Sequence, residues 1–569
     1  MRTRLLLLVM VSLAVYANTL VNGFVFDDNL YIVRNLTVTH ATALGFFQPN
    51  RASNVLRPVT FASLALNWAI GANRAFGYHV FNLLVEACVP VLLFLVLRKL
   101  LDELTQVETI AFVAALLFAV HPIHVEAVAW ITGRSELLAG AFLLAAWLFH
   151  LHDRRIPSLL CFVLAMMSKE SAVVFGPLVL AGDYARGKLK SLSGYGVIAA
   201  VTVLYLAVFW RLEGGRLGEK SIDFVDNPLA HLPATLRILN ALRIAWKYIG
   251  LQVYPARLSC DYSYNAIVLY SKWQHLWPAL MGTLLVLAAL VWTLRNRQSG
   301  WFLAGAIYVL GFSVTANLIM PTGTIMAERL AYLPSAGFCL LAALIWNRLE
   351  CHRKTLAWCV LAIAMTTLAV RTVVRNRDWR DGFSLFLSAV RAVPESTKMH
   401  ANLGAEYMQR QQVKIAQAEF RTALRIFPDF AGGMEWYGLS LSQTGDDREA
   451  RQLLVKALSL TRKDDSDYSL RAVNLAAVLM KAGENDDALK ILDQVTRDSP
   501  DYGPAWSNRA VIHYQRGQIA AARSDAETAL RLDSSNTQAR NVLSALNAPV
   551  ALLQQSGGMT GRKGKVQPE

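Results

Sequence analysis

The sequence predicts an all-α protein in two parts, a polytopic membrane bundle over residues 1–374 and a helical-repeat solenoid over residues 397–546. Three observations predict it. Hydrophobic residues make up 54% of the 569-residue chain, and the mean hydropathy is +0.34, which excludes one soluble domain and excludes a disordered chain. Apolar runs near spanning length recur up to about Val374. Beyond that point the chain becomes polar and alanine-rich, and a repeat of about 34 residues sets in.

The membrane part holds about eleven candidate spans: 5–21, 79–97, 109–120, 135–150, 157–168, 171–183, 195–210, 275–293, 301–318, 329–346 and 355–373. Three are short, as helices broken near a site would be. The first follows Met1-Arg-Thr-Arg like a signal peptide, but no small-residue cleavage site follows it, so it reads as an uncleaved helix. Basic residues set the orientation. Arg2 and Arg4, Arg98-Lys99, Arg154-Arg155, Arg186 to Lys190, Arg295 with Arg297, and Arg348 with Arg353-Lys354 fall on one side if eleven spans are counted. That side is expected to be cytoplasmic, and the net charge of +15 reports these loops rather than nucleic acid. The opposite side, periplasm or lumen, receives everything after the last span. The six cysteines form no CxxC pair, so they argue neither a zinc site nor a disulfide framework.

Two loops on that opposite side are long. In the first, Asp27-Asp28 sits between Phe24-Val25-Phe26 and Asn29-Leu30-Tyr31, just outside the first span, where a charge is costly and marks function. The competing reading is a solvated turn or a helix cap. The same loop carries Arg57-Pro58 and a short interfacial helix through Trp68. In the second loop, Arg237, Asn240, Arg243 and Lys247 share one face of a helix over 236–248, placed to meet lipid headgroups.

Four charged clusters also mark span ends on that side: His121-Pro-Ile-His124-Val-Glu126, Gly133-Arg134-Ser-Glu136, Ser168-Lys169-Glu170, and Ala327-Glu328-Arg329 with Tyr332. Converging on one face of a bundle, they predict a pocket. His121, His124 and Glu126 could ligate zinc, but HPIH lacks the HExxH spacing and its proline opposes the one-helix geometry, so capping is the better reading and no metal is expected. Lys169-Glu170 reads equally as a neutralising pair. Arg329 is the residue expected to hold a phosphate, because a guanidinium grips two oxygens at once.

In the soluble part, Leu403-Gly404, Ala416, Phe420 and Pro428 fit the tetratricopeptide pattern. Tyr437-Gly438 with Ala450, Leu475-Ala476 with Ala488, and Trp506-Ala510 with Ala522 repeat it. The units are 397–430, 431–464, 469–502 and 503–536, with a charged insert at 462–467 and a capping helix at 537–546. Residues 375–396 read as a linker and 547–569 as a disordered tail. Such a solenoid offers a concave surface to a protein or peptide.

The stretches Phe26-Asp27-Asp28-Asn29, Arg57-Pro58-Val-Thr60, His121 through Glu136, Ser168-Lys169-Glu170, Ala327 through Gly337, and Asn376-Arg377-Asp378-Trp379-Arg380-Asp381 resemble the transmembrane and tetratricopeptide-repeat protein O-mannosyltransferases, within the GT-C glycosyltransferases. The resemblance implies a GT-C bundle that transfers one sugar, with mannose the expected one, from a polyprenyl-phosphate carrier to Ser/Thr hydroxyls of a protein, with inversion and on the non-cytoplasmic face. It implies Asp27 and Asp28 as the catalytic acids, with Asp28 preferred as base and Asp27 positioning. It also implies Arg329 and Lys169 on the leaving phosphate, and His121, His124, Arg134 and Glu136 shaping the site. Arg57, Glu126, Glu170 and Tyr332 complete the expected substrate and phosphate set. No cofactor is expected beyond the lipid-linked donor, and the alanine- and arginine-rich sequence suggests a bacterial inner membrane. Two other classes fit the same chain: an enzyme decorating an envelope glycan or lipid, and a non-catalytic scaffold that would tolerate loss of Asp27 and Asp28.

Overall fold

The computed structural model describes residues 1–48, 56–190, 192–212, 222–295, 299–463, 465 and 467–547. The expected tail from 548 on, and part of the 462–467 insert, lie outside them; Asn547 itself ends a helix. Two compact units divide the chain, Met1–Glu406 and Tyr407–Glu569. The described residues are helical or irregular, with no strand.

In the first unit a helix stands at each of the eleven predicted places, but the lengths differ. Among the described residues six helices are long and apolar enough to cross a bilayer: Arg2–Val21, Ala75–Leu100, Ile131–Leu151, Gly194–Leu212, Trp277–Arg295 and Lys354–Asp378. A seventh arises if the bent pair Val107–Val120 and Pro122–Ala129 counts as one. The bend of 51° falls at His121-Pro122, where proline lacks the amide that would continue the ladder. The ninth predicted span, 301–318, ends early. Its helix Ser299–Phe312 gives way to a loop in which Asn317 takes a left-handed backbone, φ +58°. Asn317 Oδ1 there accepts from Asn227 Nδ2 at 2.8 Å and the Thr322 amide at 2.8 Å, and these bonds replace a helical ladder. The tenth helix starts at Ser335 rather than 329, because Glu328–Ala331 forms one tight turn before Pro334.

The predicted linker at 375–396 is not a linker. The last spanning helix runs on to Asp378, with Arg375 and Asn376 fully buried, and Asp381 caps the next helix, Gly382–Ala392, by accepting the Ser384 amide at 2.8 Å. Asn376 Nδ2 donates to the Val15 carbonyl at 2.9 Å and to Asn18 at 2.7 Å, which ties the last span to the first. Residues 395–398 then bind the long loops. The Asn265 amide donates to the Glu395 carbonyl and the Thr397 amide to the Tyr264 carbonyl, both at 2.9 Å, and Lys398 meets Asp226 at 2.6 Å.

The helix Ala234–Val253 has the predicted polar stripe, but the stripe faces protein. Asn240 is fully buried and exchanges bonds with the Tyr270 backbone, while the Arg243 guanidinium covers the Tyr270 ring at 4.5 Å. Loop and helix share a small core of Leu229, Ile244, Tyr248, Leu258, Tyr262, Phe312 and Met326. That core builds a cap on the end of the bundle that carries Asp27.

The second unit is a solenoid of paired antiparallel helices: Ala431–Thr444 with Asp447–Ser459, Tyr468–Lys481 with Asn485–Asp498, and Gly503–Gln515 with Ile519–Leu532, closed by Thr537–Asn547. The helix Val413–Ile426 precedes them. Left-handed turn residues recur at Gln411, Gly445, Gly483 and Gly517, the repeat phase that the sequence carries. Ala450, Ala488 and Ala522 have no exposed surface, and a Cβ on Gly438 would stand 3.0 Å from Leu454, so small residues set the helix spacing.

Candidate active site

The Asp27 end of the bundle contains a cavity of about 500 Å³. Its charged lining is Asp27, Arg57, Lys169, Glu170 and Arg329. These residues are up to three hundred positions apart in sequence; of the four clusters expected to converge, two supply charges to the lining, through Lys169-Glu170 and Arg329, beside Asp27 and Arg57 from the first long loop.

The Asp27-Asp28 turn is built first. The Asp28 amide donates to the Val25 carbonyl at 3.0 Å, and Asp28 Oδ2 accepts the Val25 amide at 3.1 Å. Asp28 Oδ1 accepts from Thr132 twice, from the amide at 3.1 Å and the hydroxyl at 2.8 Å. Both oxygens of Asp28 are therefore committed, and the residue is fully buried. Asp27 is the opposite case. Its carboxylate lines the cavity and has no hydrogen-bond partner among the described residues. Phe26, just before it, sits at φ +54°, a strained backbone for a bulky residue. The rings of Trp130 at 5.6 Å and Phe386 at 6.2 Å hold it there. The carboxylate at the cavity is thus Asp27, not Asp28.

Burial raises the Asp27 carboxyl above the ordinary aspartate value, against the pull of Lys398 and Arg329. Burial also pushes Asp28 up, to about 7, against its hydrogen bonds from Val25 and Thr132. The cations are each held from behind. Glu126 bonds both the Arg329 side chain and its amide, the latter at 2.9 Å, and the guanidinium lies 5.1 Å from the Trp130 ring centre. Burial opposes the Arg329 charge, but Glu126 outweighs it and keeps the group above the ordinary arginine value. Lys169 pairs with Glu136, and burial draws its ammonium down from the ordinary lysine value. Arg57 forks onto Glu170 at 2.7 and 3.1 Å. Burial works to raise Glu170, and Arg57 and Lys169 overcome it, holding Glu170 at about 2. Among the described residues Arg329 uses Nη1 and its amide on Glu126 and makes no bond from Nε or Nη2, so ligand oxygens can take both.

Several expected site residues lie elsewhere. Arg134 is fully buried and spends its guanidinium on Asn82 at 2.7 Å, the Ser63 carbonyl at 3.0 Å and the Tyr78 carbonyl at 3.0 Å. Through Asn82, which reaches the carbonyls of Val128, Trp130 and Ile131 at 3.3 Å, it fixes the segment carrying Trp130 and Thr132. It positions the site and does not line it. His121 borders a separate apolar cleft, donates from Nε2 to the Gln252 carbonyl at 2.9 Å, and accepts the Ile123 amide. His124 is bound to the Phe118 carbonyl and stands 2.7 Å from Ser335 Oγ. Tyr332 donates its hydroxyl to Glu86 inside the bundle. These three are structural because they stitch the Pro122 break to neighbouring helices. Glu126 and Glu136 are counterions behind the lining.

Tyr31, Trp130, Thr132 and Ser135, none of them an expected site residue, also line the cavity. All four fall inside the quoted motifs, which was the available signal. Thr315 and Thr322 line it too and carried none, since the apolar run around them reads as span.

Fold and site together define a multi-pass helical membrane protein with a charged cavity at one end of its bundle and a tetratricopeptide solenoid. The tetratricopeptide repeat family model matches residues 473–537. The chain is 31% identical over 444 residues to the protein O-mannosyl-transferase F38B6.6 of Caenorhabditis elegans, covering 75% of this chain and 63% of that one. It is 28% identical over 596 residues to the protein O-mannosyl-transferase TMTC3 of Mus musculus, covering 93% and 64%. It is thus homologous to the proteins named TMTC protein O-mannosyl-transferases, and it spans less than two thirds of their length. Among solved structures, YrrB, a TPR protein with an unusual peptide-binding site, aligns at 17% identity and a TM-score of 0.25, over 35% of this chain and 97% of that one.

Proposed function

We propose that this chain is an integral-membrane glycosyltransferase that moves one mannose from a polyprenyl-phosphate carrier to a Ser/Thr hydroxyl of a protein, with Asp27 as the base. The observation that carries the reading is the single unpartnered carboxylate, Asp27, on a cavity ringed by three fixed cations. The names of the homologues supply the sugar and the acceptor class.

In this scheme the acceptor oxygen attacks the anomeric carbon as Asp27 takes its proton. The bond from that carbon to the phosphate oxygen breaks on the opposite face, and its electron pair leaves with the phosphate. Arg329, Arg57 and Lys169 stabilise that growing charge, pre-set by their carboxylates and needing no reorganisation. A raised Asp27 makes a stronger base than a surface aspartate. Asp28 holds the turn. An apolar cleft of about 220 Å³ is lined by Pro58, Met166 and Met167, each within three residues of Arg57 or Lys169 in sequence, and suits the first isoprene units. This reading puts the cavity on the non-cytoplasmic side, opposite the basic loops when eleven spans are counted, and has the solenoid receive the acceptor or a partner protein.

The test is transfer by the purified full chain from radiolabelled polyprenyl-phosphate mannose to envelope protein. Label on Ser/Thr of protein is the expected result. Label reaching only lipid or glycan would replace the acceptor half of this reading, and no label would remove it.

A further inference from the structure

The apolar cleft bordered by His121 shares no lining residue with the Asp27 cavity. It encloses about 480 Å³, within the roughly 300–1,000 Å³ range of ligand sites. Its walls come from membrane helices. Ala364, Leu368 and Arg371 recur at helical spacing along Lys354–Asp378, and Cys339 and Ala342 line it from Ser335–His352. The small side chains of Ala342 and Ala364 leave a slot there. The segment 252–256 completes the lining, with Val253 67% and Tyr254 76% exposed. Exposed apolar and tyrosine side chains beside a span belong at the lipid interface.

One cation stands in this apolar lining. Arg371 lies about two turns before the Asp378 end of its helix. Its Nε donates to the Pro255 carbonyl at 3.1 Å and its Nη2 to the Ala256 carbonyl at 3.2 Å, which fixes the guanidinium at the cleft. Nη1 makes no bond among the described residues and is not enclosed. The carboxylates of Glu328 and Asp378 pair with Arg375 instead. A cation beside a membrane slot, held by carbonyls without a counterion, is costly unless an anion reaches it from outside the protein. We propose that the cleft binds an anionic membrane phospholipid, with an acyl chain between the two helices and the phosphodiester on Arg371. A phosphodiester carries one negative charge, which one guanidinium matches. The proposal does not depend on the transfer reaction.

The test titrates the delipidated full chain in detergent with phosphatidylglycerol, zwitterionic phosphatidylcholine and polyprenyl phosphate, and counts bound lipid by native mass spectrometry. A single phosphatidylglycerol is expected, held about tenfold more tightly than phosphatidylcholine. Arg371→Gln should abolish that preference, and Arg371→Lys should keep it. Ala364→Phe fills the slot but leaves the cation and its carbonyls, and should weaken both phospholipids about tenfold. Melting temperatures without lipid identify a variant that misfolds, and Ala364→Phe carries the test if Arg371→Gln does. Binding that ignores both substitutions, or many lipids per chain without preference, marks bulk lipid only and overturns the proposal. Polyprenyl phosphate that takes the site ahead of phosphatidylglycerol, with the same losses in the variants, overturns the choice of occupant.

Discussion

Two adjacent aspartates have opposite surroundings. The buried Asp28 carboxylate takes three hydrogen bonds, and the Asp27 side chain, at the cavity, takes none among the described residues. That difference predicts a stability effect separate from catalysis. In the fold Asp28 titrates at about 7, against 3.8 ordinarily, so the folded state holds an extra proton between those values. Its contribution is present below about pH 4 and lost as pH rises through 7. Asp28→Asn cannot ionise and sacrifices one accepting oxygen, a constant cost of about 1 kcal/mol. Melting curves from pH 4 to 8 should therefore show the variant gaining on the unaltered chain as pH rises, and parallel curves would contradict it. The pair itself was legible in the sequence as charge beside a span. Which member meets the cavity was not, because that depends on Thr132, a hundred positions away, and on the backbone of Phe26.

At the scale of the helix, the apolar runs located a helix at each of the eleven expected places but missed Gly382–Ala392 and several helix ends. Composition cannot distinguish a helix from the irregular backbone that Asn317 and Asn227 stabilise at 313–326, since that run stays apolar. Nor could it tell that the Arg134 charge is spent on backbone carbonyls, which only the assembled bundle places around it. Close helix contacts are likewise invisible in sequence. Gly337 lets its helix approach Ser299–Phe312 so nearly that a Cβ would stand 2.4 Å from the Ala304 carbonyl. Gly337→Ala should cost about 2 kcal/mol of stability through overpacking. Gly250→Ala, where nothing lies within 4 Å, is expected to be neutral or slightly stabilising. Thermal melting in detergent compares the two, and equal melting points would refute the packing account.

For the whole molecule, the repeat was readable where Gly445, Gly483 and Gly517 mark the turns that separate paired helices, while the boundary between the compact units falls inside the first unit read at 397–430. Orientation is the property on which the proposed chemistry depends. If all eleven apolar segments cross, six or seven of them being helices long enough to do so alone, the residues after the last crossing share a side with Asp27 and the loop of Arg186 to Lys190 lies on the other. Alkaline phosphatase, active only outside the cytoplasm, should therefore work when fused after residue 569 and fail when fused after Lys190. The reverse pattern would move the site to the cytoplasmic face and rule out a periplasmic or lumenal acceptor.

The central claim is that Asp27 is the base. It is tested by single-turnover transfer from polyprenyl-phosphate mannose, with donor binding measured in parallel, for Asp27→Asn and Asp28→Asn. The account predicts that Asp27→Asn binds donor normally but transfers about 100-fold or more slowly. Asp28→Asn should lose binding and transfer together, as its turn loosens. Asp27→Asn that transfers at the unaltered rate would contradict it.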